Sequence, residues 1–326
     1  MAAVSCLKRT GSNKEFIAML KLAVPDMVSN SYFPAEAAIE LGHFRDNGLD
    51  VSLDLMFPVD RSYKALRDGE IDIVAGSAHS ALAAFPNFKG VKLLCAQAQG
   101  MYWFLVMHAD YAAQRGDLSV LKGKRIGAAP WVETGLRGLL AEAGIDIERD
   151  GVTIAPVPSQ PGQTVNFGLN AAKALEARLI DGFWANGMAA EIATTRGIGK
   201  VILDVRRGDG PSEAFDYTFA SIAVRDEFVA EDPKRAQAIV QAIVDTHAHL
   251  HKNPDVAAQV GAALFPANEA GLITTLIKRD LPFYDHRISR KTVAGMSRFA
   301  RHMNLASQDL AYEDVVASRT SAFSDV

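Results

Sequence analysis

Strand-like alternation and helix-like periodicity take turns along most of this chain. The apolar run Leu20–Val24 predicts a first strand, followed by a polar turn and a helix over 34–42. Pro34 suits a first helical position, where its missing N–H is not needed. Residues 48–55 alternate apolar and polar positions, the pattern of a half-buried strand. A helix near 62–67 then leads through Gly69 to a short apolar strand over 71–75. Further strands are expected over 91–96, 103–107, 125–128, 153–157, 179–184, 201–205 and 217–224. Helices over 133–143, 166–177 and 186–195 interrupt them. This alternation predicts an α/β protein. From Pro233 the pattern becomes helix upon helix, over 234–251, 254–264, 269–278 and 290–303, a tail suited to packing outside the first sheet.

One internal repeat refines this picture. Residues 66–72 and 175–181 share the spacing L-x-x-x-x-I-D, each where a helix turns into a short buried strand. Gly69 supplies the helix stop in the first copy, and Arg178 takes that place in the second. Two similar α/β halves account for the repeat better than two unrelated junctions do.

Composition removes several classes. The chain has 326 residues, enough for about two domains, with 34 Lys+Arg against 38 Asp+Glu and a net charge of −4. With no dense basic block, nucleic acid is not an expected partner, because phosphate contacts need a basic face. No apolar run approaches the ~20 residues of a membrane span. Cys6 and Cys95 cannot make a disulfide framework, and no C-x-x-C pair suggests zinc. The start of the chain has no secretory pattern: Met1 to Cys6 precedes Lys8 and Arg9, and no apolar region leads into the lipoprotein-like Ala-Val-Ser-Cys6. The expectation is a cytoplasmic protein, or a periplasmic one if a leader is missing from the chain.

Residues 34–51, with the pattern A-x-x-x-G-x-F-x-x-x-G-L-D-V, together with Leu66–Gly76, Leu121-Lys-Gly-Lys-Arg-Ile-Gly127 and Ile180-Asp-Gly-Phe183, occur in the order of one known family. They resemble the type II periplasmic substrate-binding proteins of ABC importers, in the branch serving nitrate, sulfonate, taurine and pyrimidine precursors. The resemblance spans about residues 20–230. It implies two α/β lobes, each a mixed sheet flanked by helices, joined by a hinge crossed twice. Lobe one would comprise 15–107 plus 215–326, with the helical tail, and lobe two 108–214. It also implies a membrane permease and an ATPase as partners; a monomer without a cofactor is expected.

Ligand in such a fold would meet loops at the carboxyl ends of strands, where helix N-termini converge. Those loops hold Ser29, Asn30, Tyr32 and Phe33; Gly76, Ser77 and His79; Gln99, Tyr102 and Trp103; Trp131, Glu133 and Thr134, with Pro130 and Val132; Trp184 and Asn186, with Ala185; and Tyr217. Each has a plainer role open to it. Tyr32, Phe33 and Trp103 equally suit a core, Ser77, Thr134 and Asn186 suit helix caps, and Glu133 suits a first helical turn. Asp72 and Asp181 suit caps or turns better than ligand contact. These loops contain no Lys or Arg, and Arg137 is the nearest cation. That makeup points to a flat, partly apolar organic ligand, aromatic or heterocyclic, whose amine Glu133 could pair.

No hydrolase, metalloprotease, phosphate-loop or dinucleotide motif is present. His247 and His251 share a helical face but have no evident third metal ligand, so a solvated or partly packed face is expected. Cys95 lies in an apolar strand pattern and is expected to be buried. One enzymatic alternative follows from the resemblance: a decarboxylase, desulfinase or dehydratase acting on a cyclic substrate, with His79 as acid or base oriented by Ser77 or Asn30.

Overall fold

The computed structural model describes residues 19–158 and 167–317. The N-terminal readings on Cys6, Lys8 and Arg9 lie outside them, as does Asn166 at the start of one expected helix. Among the described residues ten strands form two five-stranded sheets. The first contains β1 (Leu20–Val24), β2 (Val51–Leu55), β3 (Ile73–Ser77), β4 (Val91–Ala98) and β10 (Ala220–Arg225), in the order β2-β1-β3-β10-β4. The second contains β5 (Phe104–His108), β6 (Arg125–Ala128), β7 (Thr153–Ala155), β8 (Gly182–Ala185) and β9 (Gly199–Asp204), in the order β7-β6-β8-β5-β9. β1 runs parallel to β2 and β3, and β6 parallel to β7 and β8. The antiparallel member of each sheet is a crossing strand, β10 in the first and β5 in the second. Thus β5, which begins within the stretch 15–107 expected for lobe one, is hydrogen-bonded in the second sheet.

The sequence repeat has a structural meaning. Its two copies enter the equivalent strands β3 and β8. The Asp72 carboxylate accepts from the Lys21 backbone N–H at 2.9 Å, while the Asp72 N–H donates to the Lys21 carbonyl at 3.0 Å. Asp181 does the same with Arg125, at 2.8 Å in both directions. Asp72 therefore pins the start of β3 to β1, and Asp181 pins the start of β8 to β6. Arg178 adopts the left-handed conformation of Gly69, with φ of 59° against 76°. The two copies therefore match more closely than their residue types suggest.

The observed strands carry the apolar core, and β3 is buried along its whole length. It starts two residues later than expected, so Gly76 and Ser77 belong to the strand and not to a loop. The register explains the shift, because Leu22 pairs with Ile73 and Asp72 is used in the β1 clamp. The helical tail packs partly as expected: helix Pro233–Lys252 lies on β4 and on helix Phe33–Glu40. It also reaches the second half, where helix Ala267–Asp280 packs on helix Gly187–Thr195. His247, expected on an outer or partly packed face, is buried and bonds through Nε2 to the Gln97 carbonyl at 2.9 Å. His251 bonds to the Tyr284 carbonyl. Cys95 is buried, and burial pushes its thiol pKa up. Among the described residues no helix is long and apolar enough to cross a membrane.

Candidate functional site

The carboxyl ends of β1, β6 and β8 converge between the two sheets, and each leads into a helix. Free helical N–H groups and positive dipole ends gather where such strands stop. A pocket lies there, about 430 Å³ when the solvent in its open mouth is included. Its wall from the first half is Pro25, Asp26, Ser29 and Tyr32 after β1, with Phe57 and Val59 after β2. The second half supplies Ala129, Pro130 and Val132 after β6, Ala185 and Asn186 after β8, and Phe167. Trp103, on the first crossing between the halves, also lines it. Gly135 allows this, since a Cβ there would sit 2.9 Å from Met101 Sδ and 3.3 Å from the Trp103 ring.

Among the described residues Asp26 is the only carboxylate on this wall, and no Lys or Arg lines it. It accepts from the Val28 N–H at 3.2 Å and from the Asn186 side-chain amide of the other half. Burial outweighs these bonds and raises its pKa from 3.8 to about 6. Asn186 meanwhile caps its own helix, its Oδ1 accepting from the Ala189 N–H at 3.0 Å. The Ser29 hydroxyl is buried without a hydrogen-bond partner among the described residues. Tyr32 shares a 2.6 Å hydroxyl contact with Tyr102. Phe57 and Phe167, both on the wall, stack with centroids 6.3 Å apart and planes 20° apart.

Of the residues singled out in the sequence, Ser29, Tyr32, Trp103 and Asn186 reach this pocket, with Pro130, Val132 and Ala185 from the same loops. The others have different positions. Phe33 is core, edge-on to Phe265. Gly76 lies beneath Val59 and Tyr63, and Ser77 bonds Ser80 and, through its carbonyl, Tyr63. Asn30 donates to Asp280. Gln99 donates to the Asp285 and Arg287 carbonyls. Tyr102 lies behind Tyr32, with the Arg206 guanidinium 5.3 Å from its ring centre. Trp184 is within β8, fully buried, its indole N–H donating to the Val132 carbonyl at 3.1 Å. Trp131 and Glu133 flank the pocket without lining it, and burial raises the Glu133 pKa. Tyr217 opens on a different cavity.

His79 is closed off from the pocket. Its Nδ1 bonds Thr218 Oγ1 at 2.9 Å, and its Nε2 reaches Thr134 Oγ1 at 3.1 Å and the Trp131 carbonyl at 3.2 Å. Trp131 holds a left-handed φ of 69°, an uncommon conformation for a large side chain. Burial lowers the His79 pKa to about 4, so the ring is neutral near pH 7. It joins the first half to the start of helix Val132–Glu142 in the second. Sequence reasoning missed Asp26, Pro25, Phe57, Val59, Ala129 and Phe167. Asp26 had a signal: it is the first acidic residue after the carboxyl end of a parallel strand.

A second link between the halves is ionic. Asp280 is fully buried and accepts from Arg207 at 2.7 Å and Arg279 at 3.2 Å, with Arg206 at 3.4 Å. Arg279 also pairs with Glu191 of the other half at 3.3 Å. These cations hold the Asp280 pKa low against the effect of burial.

The NMT1/THI5-like family matches residues 30–257. The chain belongs to this family. No curated protein matches it in sequence. Among solved structures, the alkanesulfonate-binding protein SsuA from Xanthomonas axonopodis pv. citri, bound to MOPS, is 15% identical. The alignment covers 91% of this chain and 98% of that one, with a TM-score of 0.67. The periplasmic aliphatic sulphonate-binding protein SsuA from Escherichia coli is 10% identical over 92% and 97%, with a TM-score of 0.69. A DszB variant in complex with biphenyl-2-sulfinic acid is 16% identical over 92% and 96%, with a TM-score of 0.62. At these identities the likeness is one of fold, and the fold is the two-lobed type II binding-protein fold.

Proposed function

We propose that this family member is the solute-binding component of an ABC-type importer, closing two lobes around a small organic ligand. The lobes follow those expected from the sequence, 15–107 plus 215–326 and 108–214, with β5 moved into the second, working as a monomer in the periplasm with a permease and an ATPase. The observation that carries the reading is the pocket at the carboxyl ends of β1, β6 and β8, bridged by Asp26 and Asn186. Its walls choose the ligand class. Tyr32, Phe57, Trp103 and Phe167 offer faces for a flat ring, while Asp26 and the Ser29 hydroxyl offer polar contacts. One carboxylate and no cation among the described residues of the wall favour N–H donors over an oxyanion. The ligand is thus an aromatic or heterocyclic amine, with Asp26 in the role the sequence offered to Glu133.

Native mass spectrometry of the purified chain, followed by a thermal-shift screen, tests this reading. Heterocyclic amines are expected to raise the melting temperature, and Asp26→Asn to weaken them about tenfold or more, the worth of a hydrogen bond to a charged group. Stabilisation by inorganic oxyanions or alkanesulfonates alone would refute the ligand class. One observation favours the enzymatic alternative, with Asp26 replacing His79: a cleft carboxyl poised near 6 is suited to proton transfer. Turnover of a bound amine, lost in Asp26→Asn, would decide for it.

A further inference from the structure

Gly187 opens helix Gly187–Thr195 of the second half, directly after its cap Asn186. Its backbone is not in the left-handed region, so an alanine there would be unstrained. A Cβ at this position would nevertheless sit 2.5 Å from Arg279 Nη2 and 2.6 Å from Asn30 Oδ1, with Asn30 Cγ at 3.2 Å. All three atoms belong to the first half. Gly168 and Gly182, by comparison, are crowded by residues of their own half. The space that a glycine leaves at 187 is therefore filled from across the interface.

Neither intruding group is free to swing aside. Arg279 bonds Glu191 through Nη1 at 3.3 Å and Asp280 through Nε at 3.2 Å, and its guanidinium lies 4.9 Å from the Phe104 ring centre. Asn30 is 1% exposed, and its amide donates to Asp280. Asp280 in turn accepts from Arg207 of the second half at 2.7 Å. The last two residues of helix Ala267–Asp280 thus hold the second half through both of their charges. This contact stands one residue behind the cleft wall on each side. Ser29 and Asn186 line the pocket, and Asn30 and Gly187 follow them in the chain.

We propose that Gly187 is the seat of a latch that holds the cleft shut, engaged by Asn30 and Arg279 as the lobes close and released as they part. The inference rests on the reading of the chain as a protein that closes two lobes around its ligand, and it assigns a control on that closure. A ligand held between Ser29 and Asn186 draws the seat and its occupants together, so ligand and latch favour the same closed state. A methyl group at 187 needs about 1 Å more room than the closed form leaves. It acts as a wedge between the lobes while each lobe keeps its own packing.

Small-angle X-ray scattering of the full ligand-free chain reads the latch directly. A compact chain of this length has a radius of gyration of about 20 Å, and Gly187→Ala should enlarge it by about 1 Å. Gly271→Ala, where a Cβ meets nothing within 4 Å, should leave it unchanged. In a background carrying both Asn30→Ala and Arg279→Ala, adding Gly187→Ala should enlarge it no further, the signature of a direct contact. Hydrogen exchange in Gly187→Ala should quicken at 28–33 and 186–190 and stay within about twofold of the parent across the second sheet. An unchanged radius, the same increase from Gly271→Ala, a further increase in the doubly truncated background, or a general loss of protection in the second half would each overturn the latch. The ligand class is judged separately by the thermal-shift screen, so a latch without an amine and an amine without a latch give different results.

Discussion

Asp26 carries a cost that its function would explain, and Asp26→Asn exposes it. The carboxyl pKa rises from 3.8 to about 6 because burial outweighs the bonds from Val28 and Asn186. Between those values the folded chain keeps a proton that the unfolded chain has released. Stability therefore falls as pH rises through this window, and the loss is complete above about 6. A shift of this size corresponds to about 3 kcal/mol at full burial. The residue is partly open to the cleft, so solvent screening reduces this to about 2 kcal/mol. Asparagine is uncharged at every pH but weakens one of the two accepted bonds, at a cost of about 1 kcal/mol. Asp26→Asn should accordingly be more stable than the parent by about 1 kcal/mol at pH 7.5, and less stable by a similar amount near pH 4. Urea unfolding followed by tryptophan fluorescence at both pH values measures the reversal. A variant less stable at pH 7.5, or a difference that does not change with pH, would refute the reasoning. The same variant should bind the cleft ligand more weakly, a trade of affinity for stability.

Other perturbations test the joints between the halves. His79→Ala removes the contacts to Thr218, Thr134 and Trp131 and should cost about 2–4 kcal/mol at pH 7.5. Because the folded His79 pKa is about 4, below the usual 6.5, its contribution is complete above 6.5 and declines as pH falls toward 4. The gap between parent and variant urea midpoints should therefore narrow at pH 5. Asp280→Asn leaves buried guanidinium charge poorly matched at Arg206 and should cost about 3–5 kcal/mol by equilibrium unfolding. Gly182→Ala would place a Cβ 2.4 Å from Met107 Sδ and 2.7 Å from the Val106 carbonyl. The partner strand cannot retreat, so a drop of about 1–3 kcal/mol is expected in thermal unfolding.

Much of the architecture was legible because it rests on local pattern. Apolar alternation located the strands to within a few residues, and the L-x-x-x-x-I-D repeat marked the equivalent strands β3 and β8. Boundaries moved where pairing overrode pattern: β3 begins at Ile73 because Asp72 is clamped to Lys21. The site was legible only in part. Loops after β1, β6 and β8 were the right places, and Ser29, Tyr32, Trp103 and Asn186 reach the pocket. Trp184 and Phe33 illustrate the difficulty: an aromatic beside a loop suits a core as well as a pocket. Only the packing of Trp184 under the Val132 carbonyl, and of Phe33 on Phe265, decides.

The order of elements, the two related halves and the near-neutral charge follow from the residues themselves, because hydrophobic periodicity and turn chemistry act over a few neighbours. What tertiary structure alone decided is which polar groups lost their water. Asp26 and Tyr217 look ordinary in the chain. Folding places one in a cleft wall that has no cation among the described residues, and buries the other beside the Glu142 carboxylate. His79, which resembled a catalytic group in its Gly-Ser-Ala-His-Ser setting, became a neutral buried joint once Thr134, Trp131 and Thr218 closed around it. Desolvation and cross-lobe hydrogen bonding depend on residues far apart in sequence, so no local reading could assign them.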